Sequence, residues 1–237
     1  MTVWDTLVGQ DAVVATLRAA AEAAAAQSGP SATPGATGWQ RSAMTHSWLF
    51  TGPTGAGRQD AARAFAASLS CERQPLGCGE CPGCHTVLTD TATDLRTVAP
   101  EGLSLGVKDV RALVRDAASA PAGGRWRILL LTEADRLTES AANALLKALE
   151  EPAERAVFLL CAPSVEDVLP TIRSRCRTVA LRLPATADVR AMLLRDGADE
   201  RTAGAVAAAS QGDLGLARRL ATDEAARTHR RAVLRIP

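Results

Sequence analysis

The sequence predicts a wound α/β fold with a mostly parallel sheet, followed by a small all-helical unit. Three observations predict it. Residues 126–131 (Trp126-Arg127-Ile128-Leu129-Leu130-Leu131) and 156–161 (Ala156-Val157-Phe158-Leu159-Leu160-Cys161) are near-continuous apolar runs, as parallel strands covered on both faces should be. Segments of helical composition alternate with such runs, the order a wound sheet requires. After Pro184 the strand-like runs stop, and 186–195, 199–209 and 213–221 fit three short helices. The expected division is an α/β domain at 1–183 and a helical domain at 184–237.

A chain of 237 residues with 47% apolar content can bury a substantial core. Charged residues are 22% and the net charge is +1, which gives no electrostatic argument for binding nucleic acid or a membrane surface. Tyr is absent, so stacking platforms are few. No basic-then-apolar leader appears, and no apolar run approaches the roughly 18 residues that span a bilayer. The expected location is the cytoplasm.

In chain order, residues 10–27 read as an Ala-rich helix with Asp11 near its start and Val14, Leu17 and Ala21 at helical spacing. Residues 28–42, rich in Gly, Ser, Pro, Ala and Thr, read as a flexible loop. Ser47-Trp48-Leu49-Phe50-Thr51 reads as a buried strand, and the helix that follows runs to about Leu69. Leu95-Arg96-Thr97-Val98 is a short strand, and the helix after it carries Val110, Leu113 and Val114 on one face. Thr138 can cap a helix over 139–151 that Pro152 follows. In that helix Ala142, Leu145, Leu146 and Leu149 read as core, and Lys147, Glu150 and Glu151 as a solvated face. Residues 178–181 give a last strand.

Between the first strand and its helix lies Gly52-Pro53-Thr54-Gly55-Ala56-Gly57-Arg58-Gln59. Strand, glycine-rich turn and helix form the context of a phosphate-binding loop, where backbone N–H groups and the helix N-terminus converge on an anion. The spacing matches G-x-x-x-x-G-K-[ST], but Arg58 stands where Lys belongs and Gln59 where the magnesium-binding hydroxyl belongs. Arg keeps the charge with a planar fork in place of a point charge, and Gln is too long to replace the hydroxyl. Thr132 follows the 128–131 strand where a metal-holding Asp would stand, leaving Glu133 beside it.

Cys71-x6-Cys78-x2-Cys81-x2-Cys84 supplies four thiols at tight spacing, with Gly77, Gly79, Pro82 and Gly83 to make the turns. In a reducing compartment this pattern reads as a closed, structural tetrahedral Zn²⁺ site, with an iron–sulfur cluster as the alternative. His85 follows directly and reads as an outer or exposed residue. Cys161 and Cys176 read as small buried residues.

The run from Glu133 to Pro152, with its Asn143-Ala144-Leu145-Leu146-Lys147-Ala148-Leu149-Glu150-Glu151-Pro152 block, resembles the clamp-loader subunits of bacterial DNA polymerase III, members of the AAA+ ATPases. Leu169-Pro170-Thr171-Ile172-Arg173-Ser174-Arg175-Cys176 and Leu7-Val8-Gly9-Gln10 share that resemblance, in the same order along nearly the whole chain. It implies an AAA+ P-loop-type parallel sheet wound by helices, carrying the zinc insertion and followed by a helical lid. A helical collar normally comes after the lid, and the chain stops at Pro237 before one could fit, so a shortened chain is the expectation. In Gly212-Asp213-Leu214-Gly215, the lid position that carries a phosphate-reaching Arg is Gly215.

Arg58, Gln59, Thr132 and Gly215 together resemble the non-hydrolysing delta-prime branch of the family rather than its gamma/tau branch. The resemblance implies that residues Gly52, Gly55, Gly57 and Arg58 form a vestigial loop, where ATP is not hydrolysed and binds weakly or not at all. It also implies that Arg175 is an arginine finger acting in the ATP site of a neighbouring subunit. The implied partners are a gamma/tau-type ATPase, a delta subunit, and through the complex the sliding clamp and primed DNA. Arg111, Arg115 and Arg173 are scattered and single out no DNA contact. Two other readings stay open: an active ATPase using Arg58, and a zinc-dependent nucleic-acid-binding module.

Overall fold

The computed structural model describes residues 2–27, 43–123 and 125–225. The loop expected at 28–42 and the chain end at Pro237 lie outside the described residues. Five strands, β1 (Ser47–Thr51), β2 (Leu95–Val98), β3 (Arg127–Leu131), β4 (Ala156–Ala162) and β5 (Arg177–Ala180), form one sheet in the order β2-β3-β4-β1-β5. Every pairing is parallel, and Trp48 of β1 stands opposite Leu159 of β4 and Arg177 of β5. Strands β1 and β4 are buried along their whole length.

Side-chain alternation along these strands divides the core into two layers. Trp48, Phe50, Ile128, Leu130, Val157 and Leu159 pack on one face under α1 (Asp11–Gln27) and α2 (Arg58–Leu69). Leu49, Leu129, Leu131, Phe158 and Leu160 pack on the other face. There they meet α4 (Val107–Ala117) and α5 (Glu139–Glu150), α3 (Pro82–Leu88) belonging to the cysteine insertion described below. Each such large apolar side chain contributes about 1.5–3 kcal/mol when fully buried. Trp48 and Phe65 meet edge to face, ring centroids 4.9 Å apart, fixing α2 over β1.

The sequence reading places these elements within a few residues. Helix α2 begins at Arg58, so Arg58 and Gln59 are helical rather than part of the preceding turn. Helix α5 is capped by Thr138, whose hydroxyl accepts from Ala141 N–H at 3.2 Å. Its buried residues are Ala141, Ala142, Leu145 and Leu149, while Leu146 is only partly covered. The 3-10 turn Val3–Thr6, α3 and α6 (Pro170–Arg173) stand in addition to the elements expected from the sequence.

The chain ends, among the described residues, in α7 (Thr186–Arg195), α8 (Glu200–Ser210) and α9 (Leu214–Thr222). Asp199 and Asp213 cap the last two, accepting from Thr202 N–H at 3.0 Å and Leu216 N–H at 2.9 Å. Each cap contributes on the order of 1 kcal/mol. Val189, Met192, Leu193, Val206, Leu214 and Leu220 make a separate apolar core, which Val8 from the N-terminal segment joins. Gln10 fastens the connection: its amide nitrogen donates to Arg182 O at 2.5 Å and its amide oxygen accepts from Arg182 N–H at 3.4 Å.

Candidate functional site

The loop at residues 52–58 leaves the C-terminal end of β1 and enters α2, as phosphate binding requires. Several of its groups are already paired. Gly52 N–H donates to Pro163 O and Ala56 N–H to Pro53 O, both at 3.1 Å. The Arg58 guanidinium folds back and donates to Gly52 O. From the helical part, Asp213 lies against Gly55, where a Cβ would stand 2.6 Å from the Asp213 carboxyl carbon. Leu214 N–H donates to Gly55 O at 3.4 Å. Gly55 has φ +86°, so both its backbone and the space around it call for glycine.

Of the other predicted positions, Thr132 and Glu133 are held by contacts of their own. Thr132 is 6% exposed and its N–H donates to Val98 O at 3.1 Å. Glu133 pairs with Arg136 at 2.5 Å, within its own turn. Gly215 is exposed on the first turn of α9. Cys161, on β4 beside the loop, has its thiol pushed up to about 12 by burial, against the opposing charges of Arg58 and Arg63. Cys176 is partly rather than fully covered, and burial likewise pushes its thiol up to about 12.

Arg175 stands at the other end of the sheet. It precedes Arg177, which pairs with Trp48 at the start of β1, whereas the loop begins after Thr51 at the end of β1. Trp48 to Gly52 spans about 13 Å at 3.3 Å per residue. Arg175 is exposed, with 34% of its side chain in solvent, and its guanidinium donates to Thr171 O at 2.7 Å and Ser174 Oγ at 3.2 Å. It also makes an ion pair with Glu150. The structure therefore separates Arg175 from the chain's own loop and brings it to the ends of α5 and α6.

Cys71, Cys78, Cys81 and Cys84 converge, all four sulfurs lying within 4.8 Å of one another. Cys71 Sγ is 3.7 Å from Cys78 Sγ and 3.8 Å from Cys81 Sγ. A tetrahedral ion with metal–sulfur bonds of about 2.3 Å would set its sulfurs about 3.8 Å apart, so the cluster fits one. Helix α3 contributes to this geometry: Cys81 is its N-cap, accepting Cys84 N–H at 3.4 Å, with Pro82 in its first turn. Cys81 N–H points at Cys78 Sγ at 3.3 Å, and Glu72 N–H at Cys81 Sγ at 3.5 Å. The amides of Glu80 and Cys81 hold the Cys78 thiol down to about 6, while burial drives the Cys84 thiol well above its usual range. His85 is exposed.

The packing of the N-terminal turn against this knuckle is not legible in the sequence. Val3 N–H donates to Gly77 O at 2.9 Å and Trp4 Nε1–H to Leu76 O at 3.0 Å. At Gly77, with φ +83°, a Cβ would meet Trp4 Nε1 at 2.6 Å. The 3-10 turn is thus seated on the cysteine loop, and the chain runs from it straight into Val8, in the helical core, and Gln10, bonded to Arg182 ahead of α7. The Trp4 indole carries the only available signal, and it lies more than 70 residues from its partner in sequence.

Comparison with known proteins places this arrangement. The family described as DNA polymerase III, delta subunit, matches residues 36–185. The DNA polymerase III subunit delta' of Pseudomonas aeruginosa is 38% identical over 165 residues, covering 68% of this chain and 50% of that protein. The subunit gamma/tau of Mycobacterium tuberculosis is 37% identical over 155 residues, covering 64% of this chain and 27% of its own length. The chain therefore spans between about a quarter and a half of these curated relatives. A gamma subunit-related protein of Thermotoga maritima shares the fold, with a TM-score of 0.53 at 23% identity over 74% of this chain and 52% of that one. By the family match over more than half of its length, the chain belongs to the DNA polymerase III delta-subunit family.

Proposed function

We propose that this chain is a clamp-loader subunit that does not hydrolyse ATP itself and supplies Arg175 in trans to the ATP site of a neighbouring subunit. The observation that carries this reading is the opposition of the two ends of the sheet. At one end a phosphate-type loop lacks the Lys and hydroxyl of an ATPase, has Arg58 turned onto its own backbone, and has the carboxylate-bearing Asp213 against Gly55. A negative charge there opposes the incoming phosphates that the loop of an ATPase attracts. At the other end Arg175 is exposed, out of reach of that loop and presented outward.

In this reading residues 184–237 act as a lid on an AAA+ domain at 1–183. The four-cysteine knuckle holds a structural Zn²⁺, since thiolate ligands in a closed tetrahedron leave no open position for chemistry. The partners are gamma/tau-type and delta subunits, with the sliding clamp and primed DNA engaged through the assembly. The competing reading, an active ATPase using Arg58, is favoured by the similarity to gamma/tau relatives.

The test is a loader reconstituted with Arg175→Ala. Trans-supplied arginines contribute roughly 10³–10⁵ in rate, so DNA- and clamp-stimulated ATP turnover at the neighbouring site should fall by a factor within that range. Unchanged turnover would remove the proposed role.

A further inference from the structure

We infer that Glu150 is the positioning residue for Arg175, fixing the guanidinium in the orientation from which it reaches a neighbouring subunit. The inference rests on the reading of Arg175 given above. Glu150 closes α5, and a carboxylate at the C-terminal end of a helix faces the negative end of the helix dipole, where cations are the favoured residues. Core packing does not explain it, because Glu150 is exposed and makes no part of the core. Its recorded partner is Arg175.

Three acceptors meet the guanidinium from two directions. Thr171 O and Ser174 Oγ take one terminal nitrogen, and the Glu150 carboxylate takes the other. Ser174 is itself held, its hydroxyl donating to Thr171 O at 3.1 Å. An arginine fork has five N–H donors in a fixed plane, so holding both terminal nitrogens fixes that plane and leaves the remaining donors for a phosphate. The pair is half-exposed, with side chains 34% and 48% in solvent, and such pairs contribute little to stability. Its effect is to remove the rotamers an unrestrained Arg would otherwise have to give up on reaching its target, a gain of about tenfold for one long side chain.

The experiment is a double-mutant cycle in the reconstituted loader, reading kcat and KM for ATP. Glu150→Ala should lower kcat about tenfold. The KM should stay unchanged, and Glu150→Gln, which keeps an acceptor without the charge, should recover part of the loss. Arg175→Ala should fall further, and the Glu150→Ala, Arg175→Ala double variant should fall no further than Arg175→Ala alone. If Arg175→Ala is impaired while Glu150→Ala and Glu150→Gln match the parent, the positioning role is overturned and the role of Arg175 survives. A double variant slower than Arg175→Ala also overturns it, since Glu150 then acts apart from Arg175. If Arg175→Ala itself matches the parent, the underlying reading is the one that fails.

Discussion

The two ends of the parallel sheet treat an arginine in opposite ways. At the C-terminal end of β1, Arg58 is drawn inward, donating to Gly52 O inside its own loop, while Asp213 and Leu214 close over Gly55 from the helical part. At the N-terminal end, Arg175 is drawn outward and propped by Glu150, Thr171 and Ser174 with part of its side chain in solvent. The same guanidinium chemistry is internal and self-satisfied at one end, external and oriented at the other. The difference shows that the presence of a positive charge in a glycine loop says little until its partners are known.

Two ties hold the closed end, and each can be broken. The largest effect is expected from the four-cysteine knuckle, for which a structural Zn²⁺ is proposed, because it seats Val3 and Trp4 and so anchors the segment from which Val8 reaches the helical core. Binding energy at such sites is folding energy. Cys81→Ser, or removal of metal by chelation, should lower Tm by about 10 °C or more in a thermal melt followed by circular dichroism. A metal-stripped protein with an unchanged melt would show that the knuckle carries no such load.

A smaller effect is expected at the loop. Gly55→Ala places a Cβ 2.6 Å from the Asp213 carboxyl carbon at φ +86°. Strain of this kind costs about 1–3 kcal/mol, which corresponds to roughly 5 °C in Tm for a chain of this size. Adding Asp213→Gly should return part of the loss by removing the side-chain atoms at 2.6 and 2.7 Å, while the backbone Cα at 2.8 Å and the lost cap of α9 keep the rest. Failure of that second change to help would mean that Asp213 does not close the loop.

The smallest effect belongs to the other end of the sheet, where His46 leads into β1 and its Nδ1 lies 2.7 Å from Ala156 O. Burial lowers its pKa, outweighing the backbone bond that raises it. The unfolded chain therefore binds a proton more readily than the folded one below about pH 6.5, and stability rises with pH through that window. This contribution is fully present above the unfolded pKa and is lost as pH falls below it. Urea midpoints at pH 7.5 and 5.5 should show a loss on acidification that His46→Gln reduces.

Much of this architecture is legible in local sequence. Apolar runs such as 128–131 and 156–161 mark central strands because burial on both faces removes the polar alternation. Thr138, Asp199 and Asp213 mark helix starts, and the cysteine spacing marks a cluster before any coordinates are seen. The hidden parts depend on contacts between residues distant in sequence. Nothing near Gly55 announces Asp213, nothing near Trp4 announces Leu76, and nothing near Glu150 announces Arg175. Helix α3 escaped notice because Cys81-Pro82-Gly83 has the composition of a turn, although Cys81 caps it and Pro suits the first helical position.

In the proposed function, the loop at residues 52–58 keeps the shape of a phosphate site without its reaction. Equilibrium binding of a fluorescent ATP analogue to the isolated chain, with and without Mg²⁺ and paired with a turnover assay, tests it most directly. The expected result is no Mg²⁺-dependent binding and no hydrolysis above buffer. Tight Mg²⁺-dependent binding with measurable turnover would contradict it and establish Arg58 as a working replacement for lysine.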